Sequence, residues 1–143
     1  MYRFAAIVVT LSALISGIVI PVLELNETHL FNPDWPAHAR LHEAWQLMTN
    51  SALSALAVFL IWSGRAPRLA IILSLLISVP FLLAFAASAT YGGSMLHSDG
   101  TQLAVWGMNL GVLVALIMSS LLLLSLALFR PAEPETQNQA TAQ

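Results

Sequence analysis

The chain contains no cysteine and no lysine. Without thiols it has no disulfide, no thiolate metal site and no cysteine nucleophile, and cysteine usage says nothing about its redox compartment. All 5 basic residues are arginines (Arg3, Arg40, Arg65, Arg68 and Arg130), too few to form the basic surface that nucleic acid requires. Charge of either sign is scarce: 8% of the 143 residues carry it, against about 25% in a soluble domain. Apolar residues fill the gap, at 58% of the chain, with a mean hydropathy of +0.80. An ordinary soluble globule is excluded.

Four apolar runs lie at about residues 4–23, 44–62, 69–91 and 103–129. Each is close to or above the roughly 20 residues that cross about 30 Å of hydrocarbon as a helix. Hydrocarbon offers no hydrogen-bond partner, so helices rather than isolated strands are expected. The expected fold is an all-α integral membrane protein, a four-transmembrane-helix bundle over residues 1–130. A disordered cytoplasmic tail rich in Pro, Glu, Gln, Thr and Ala follows over residues 131–143. The length of the first run, its Pro21 and the lack of an Ala-x-Ala pattern mark it as a retained anchor rather than a signal peptide.

Arg3, Arg65, Arg68 and Arg130 fall on one side of this arrangement and Arg40 alone on the other. The positive-inside rule then places both termini in the cytoplasm, and the expected location is the plasma membrane, the inner membrane of a bacterium. All 4 histidines (His29, His38, His42 and His97) then face outward, together with Glu24, Glu27, Asp34, Glu43 and Asp99. Within the membrane, Thr10, Ser12, Ser16 and Gly17 offer a small-residue surface for close helix contact. Pro21 is expected to kink or end the first helix, and Pro80 to kink the third. The short connection at residues 63–68 predicts an antiparallel pairing of helices 2 and 3.

Polar residues concentrate in His29-Leu30-Phe31-Asn32-Pro33-Asp34-Trp35-Pro36-Ala37-His38-Ala39-Arg40-Leu41-His42-Glu43. Ionisable groups gathered at a membrane boundary are costly, and they mark a candidate functional site. Asn32-Pro33-Asp34-Trp35-Pro36 reads as a turn feeding a helix from about Trp35, with Asp34 as its cap. On that helix His38, His42, Trp45, Gln46 and Thr49 share one face, with Glu43 and Asn50 at its flank. The stripe is expected to face other helices or a wet cavity, with Asn109 and Trp106 of helix 4 across from it. The expected ligand pocket is thus Asn32, Trp35, Trp45, Gln46, Asn50, Trp106 and Asn109.

Two chemistries suit these residues. His38 and His42, four apart on a helix, can chelate a divalent transition metal such as zinc, with His29, His97, Asp99 or Glu43 completing the site. Alternatively, His42 with Glu43, or His38 with Asp99, can exchange protons with a lipophilic molecule arriving from the bilayer. The bland alternative is a hydrated boundary in which these groups solvate one another. Trp35, Trp62 and Trp106 also suit belt anchoring, and Arg65 and Arg68 suit topology and anionic-lipid contact.

The string from Thr28 to His42 resembles the signature of an uncharacterised group of small four-helix membrane proteins from fungi and bacteria. That resemblance implies a family site made of His29, Asn32, Pro33, Trp35, Pro36, His38 and His42, and implies no activity, substrate or cofactor. The pattern departs from the histidine-box hydroxylases and desaturases, which carry about twice as many histidines in several boxes, so no di-iron centre is expected. The reading is a His/carboxylate pocket that binds or transforms a small lipophilic molecule, with or without a metal. The competing class is a non-enzymatic subunit docking a protein partner through its outer loops. The sequence leaves self-association open. A transporter is disfavoured, because the inner half of the bundle has little polarity to line a path.

Overall fold

The structure is a computed structural model that describes residues 1–97 and 99–129. Arg130 and the tail over residues 131–143 lie outside the described residues. Four helices are long and apolar enough to span a membrane: α1 (Tyr2–Glu24), α2 (Ala37–Trp62), α3 (Pro67–Tyr91) and α4 (Leu110–Leu128). The protein is a four-helix bundle of the integral membrane type. A small antiparallel hairpin, β1 (Ala104–Val105) and β2 (Met108–Asn109), precedes α4.

Helix α1 is not uniform. Its turn at Ile15–Val19 is a π-helix, after which α-helix resumes at Ile20–Glu24. Pro21 supplies the local reason. It has no N–H to give the Gly17 carbonyl four residues back, and its ring crowds that turn. The turn widens, and the Gly17 carbonyl accepts a hydrogen bond from Ser51 Oγ of α2 at 3.0 Å. Pro21 therefore neither ends nor breaks the helix. Ser16 Oγ and Ser54 Oγ share a hydrogen bond at 3.0 Å beside this contact. The small-residue surface expected on helix 1 is thus a helix–helix contact.

Pro67 opens α3 in its first turn, where a missing N–H costs nothing, and Gly64 turns the chain at φ +66°. Helices α2 and α3 pair as the short connection requires. The helix continues through Pro80 to Tyr91. Ser119 of α4 donates to Ser78 of α3 at 3.0 Å, which ties that pair together.

Burial is uneven along the bundle. The core joins Ala5, Ala6, Val8 and Val9 of α1 to Ala57 and Ile61 of α2, Ala70 and Ile71 of α3, and Met118 and Leu122 of α4. Alanines let the backbones approach closely, and all of these residues lie toward the end that carries Arg3, Arg65 and Arg68. Tyr2 Oη donates to the Ile61 carbonyl at that end. No residue of α1 beyond Ser16, nor of α3 beyond Ser74, is buried. The bundle is tight at its arginine end and loose at its polar end.

Helix 4 departs from the expectation. The apolar run starts at residue 103, but the helix starts at Leu110. Trp106 and Gly107 both have positive φ, 51° and 78°, and form a two-residue hairpin loop. Asn109 then caps α4, its Oδ1 accepting from the N–H of Gly111 at 2.9 Å and of Val112 at 3.3 Å. Helix α2 also starts later than expected, at Ala37, and Asp34 does not cap it.

Gly17 is the position where this contact is least forgiving. A Cβ built there would sit 2.7 Å from Ser54 Cβ. Gly17→Leu is therefore expected to destabilise the detergent-solubilised protein by about 1–3 kcal/mol, the usual range for overfilled contacts. Thermal unfolding followed by circular dichroism checks it, and an unchanged midpoint would refute the close approach.

Candidate functional site

The polar end is built from the loop over residues 25–36, the first turns of α2, the loop over residues 92–103 and the hairpin. The α1–α2 loop is a series of tight turns. Asn32 N–H donates to the His29 carbonyl at 2.9 Å, and Trp35 N–H to the Asn32 carbonyl at 3.3 Å. Asn32 Oδ1 accepts from Asp34 N–H at 2.9 Å, the local bond that makes Asn favourable in turns. The Asn32 side chain is 2% exposed, and its Nδ2 has no protein partner. An unpaired buried donor costs about 1–3 kcal/mol.

His29 stands at the end of α1. Its Nε2 lies 3.1 Å from Glu24 Oε2, and both side chains are mostly shielded, at 19% and 25% exposure. Its Nδ1 lies 2.8 Å from Thr28 Oγ1. The Thr28 hydroxyl is also 2.7 Å from Asn26 Oδ1, and it has one proton to give. When it donates to Asn26, His29 Nδ1 carries the proton that the hydroxyl accepts. When it donates to His29, the ring is neutral with its proton on Nε2. Either state keeps both ring nitrogens hydrogen-bonded. The ring of His97 packs edge-on against His29 at 4.8 Å between centroids, and Trp35 does the same from 6.2 Å.

His38 and His42 form a separate pair. Their Nε2 atoms are 3.0 Å apart, so one must carry the proton that the other accepts. Both side chains are exposed. Next to them His42, Trp45, Gln46, Thr49 and Asn50 line a shallow groove of about 310 Å³. The helical stripe is therefore one groove, but every residue lining it belongs to α2. Asn109 and Trp106 do not face it. Asn109 is spent on capping α4, and Trp106 is 93% exposed at the hairpin tip.

The expected site thus divides. Glu24, Thr28, His29, Trp35 and His97 come together at the end of α1. His38, His42, Trp45, Gln46 and Asn50 lie along α2. Asp99 stands beside His97 on the same loop, its carboxylate accepting from the Thr101 hydroxyl at 2.7 Å and from the Thr101 N–H at 2.9 Å, and that hydroxyl also lies 3.2 Å from His97 Nδ1. Those bonds, the hydroxyl's first, hold its carboxyl below the usual range, which makes it a poor proton donor. Among the described residues no three His, Asp or Glu side chains gather as metal ligands. Sequence reasoning passed over Glu24 and Thr28 as site members. The signal available was their spacing of five and one residues from His29, which becomes contact only once the loop turns back on itself.

A model of a family of unknown function (DUF6640) matches residues 8–105, which include the whole histidine segment and His97. No curated protein and no solved structure matches the chain.

Two tests follow from the divided geometry. Zn²⁺ titrated into the purified protein is expected to bind more weakly after His38→Ala or His42→Ala and to be unaffected by His29→Ala or His97→Ala, as measured by calorimetry. Equal weakening in both sets would show that the two pairs converge on one ion. Asn109→Ala is expected to cost about 0.5–2 kcal/mol, the value of an N-cap, and to speed hydrogen exchange at Gly111 and Val112. Unchanged exchange there would refute the cap.

Proposed function

The chain belongs to that family, DUF6640, and we propose that its polar end binds a small molecule with a lipophilic body and exchanges a proton with it through the Glu24–His29 pair. The observation that carries this reading is the hydrogen bonding of His29. The ring accommodates one proton or two without losing a partner, because the Thr28 hydroxyl turns to suit either state. A side chain fixed in one protonation state would serve structure alone. Trp35 and His97 pack edge-on against the ring and leave 19% of the His29 side chain exposed, which supports a partially shielded proton site. The unpaired Nδ2 of Asn32 supports the reading as well, since a bound acceptor would relieve its cost.

The four histidines then have two kinds of work. His29 and His97 serve the proton-exchanging site. His38 and His42 form an exposed pair beside the groove of α2, suited to holding a divalent ion with solvent completing its shell. Arginines at the opposite end orient the bundle by the positive-inside rule, so the polar end faces outward from a plasma membrane, in a bacterium the periplasm.

Mass spectrometry of the organic extract from purified protein tests the proposal. A lipophilic molecule should be enriched over a control membrane protein in the same detergent. Removing a hydrogen bond to a charged group costs about 1.5–3 kcal/mol, so Glu24→Gln or His29→Gln should lower retention by about tenfold or more. Identical extracts from folded wild type and both variants would overturn it. That result would favour a second reading, a subunit that docks a protein partner through the exposed Leu25 and Phe31 of the same loop.

A further inference from the structure

A second cavity, about 450 Å³ and open on one side, lies between the polar ends of α3 and α4 and the hairpin. Its volume falls within the roughly 300–1,000 Å³ of pockets that hold small ligands. Phe85, Met95, Met108, Val112 and Leu116 give it apolar walls, and no charged residue lines it. Of its two amides, Asn109 is committed to capping α4, which leaves Gln102.

From the geometry we infer that this cavity receives the hydrocarbon chain of a single-chain amphiphile drawn from the membrane, whose polar head reaches the Glu24–His29–His97 cluster. The inference rests on the proposed head site and adds the class of molecule. Three observations support it. First, the cavity and the cluster share one loop: Met95 lines the cavity, and His97, two residues on, packs against His29. Two residues of extended chain span at most about 7 Å, so tail and head sites are within one small molecule of each other. Second, the hairpin wall is placed at the membrane boundary, directly before the first turn of a spanning helix. No charged residue occurs anywhere from residue 101 to 129. Third, the hairpin holds Trp106 at its tip at 93% exposure and φ 51°, a conformation uncommon for a bulky side chain. Leu103, Val105 and Met108 are exposed beside it. An uncharged hairpin tipped by tryptophan suits the headgroup interface, and it would leave the open side of the cavity toward lipid rather than water.

The test is photolabelling of the whole protein in phosphatidylcholine vesicles with a diazirine-bearing fatty acid, with adducts mapped by peptide mass spectrometry. Adducts should concentrate on Phe85, Met95 and Met108 over the exposed membrane-face residues Leu76 and Leu123. Leu116→Trp, which fills the cavity, should lower them by about tenfold or more. Met108→Trp provides a second filled variant should the first not fold. Adducts spread evenly over all four helices, unchanged by either filled variant, would overturn the inference as bulk lipid contact. Cavity adducts that survive Glu24→Gln and His29→Gln undiminished would keep the chain site and defeat the head site. Retention of the co-purified molecule by a filled variant would defeat the chain site and keep the head site.

Discussion

Everything at the polar end depends on how α1 is carried past Pro21. A proline inside a helix leaves a carbonyl without its donor, and in hydrocarbon no water can replace it. Here α2 replaces it, through Ser51 on the Gly17 carbonyl. That exchange draws the two helices together at Gly17 and Ser54, where no side chain larger than hydrogen fits on α1. The widened turn also has a rotational effect. An inserted residue turns everything beyond it by about 100°. The face on which Glu24 emerges is therefore set by the π turn, and with it the carboxylate that meets His29.

The gradient of burial along the bundle has a physical basis in composition. At the arginine end, buried Ala5, Ala6, Ala57 and Ala70 bring backbones close enough for dispersion to hold helices together without a hydrophobic driving force. Toward the polar end that surface runs out. Serines take over: Ser16 with Ser54, Ser51 with Gly17 and Ser119 with Ser78 each join two helices by a short hydrogen bond. Such bonds fix register while leaving space between side chains. The result is a bundle closed at one end, with room at the other for a groove on α2 and a cavity between α3 and α4.

The spans were legible from hydropathy because the bilayer imposes length and apolarity directly. So were the α2–α3 turn and the small-residue contact of α1. The start of α4 was not, because Leu103, Ala104, Val105, Trp106 and Met108 are as apolar as a helix interior. The signal that hydropathy hides is local: Gly107 permits a positive φ, and Asn109 stands where a cap belongs. The π turn was equally hidden, since Pro21 announces a disturbance without saying whether the helix will end, kink or widen. At the site, helical periodicity placed His38, His42, Trp45, Gln46 and Thr49 on one face, with Asn50 at its flank, and four of those five line the groove together with Asn50. Periodicity had no access to Glu24, Thr28 and His97, which a turning loop brings to His29 from different parts of the chain.

Four histidines at one end of a membrane protein invite a single explanation, and the local chemistry resists it. His38 and His42 are exposed and hydrogen-bonded to each other, and among the described residues no carboxylate pairs with either ring. His29 has a shielded carboxylate on one nitrogen and a rotating hydroxyl on the other. The same side chain is thus an exposed, hydrogen-bonded pair in one place and the partially shielded partner of a carboxylate in the other. Trp35 and His97 supply that partial shielding, their rings packed edge-on against His29, so the proposed site includes them together with Glu24.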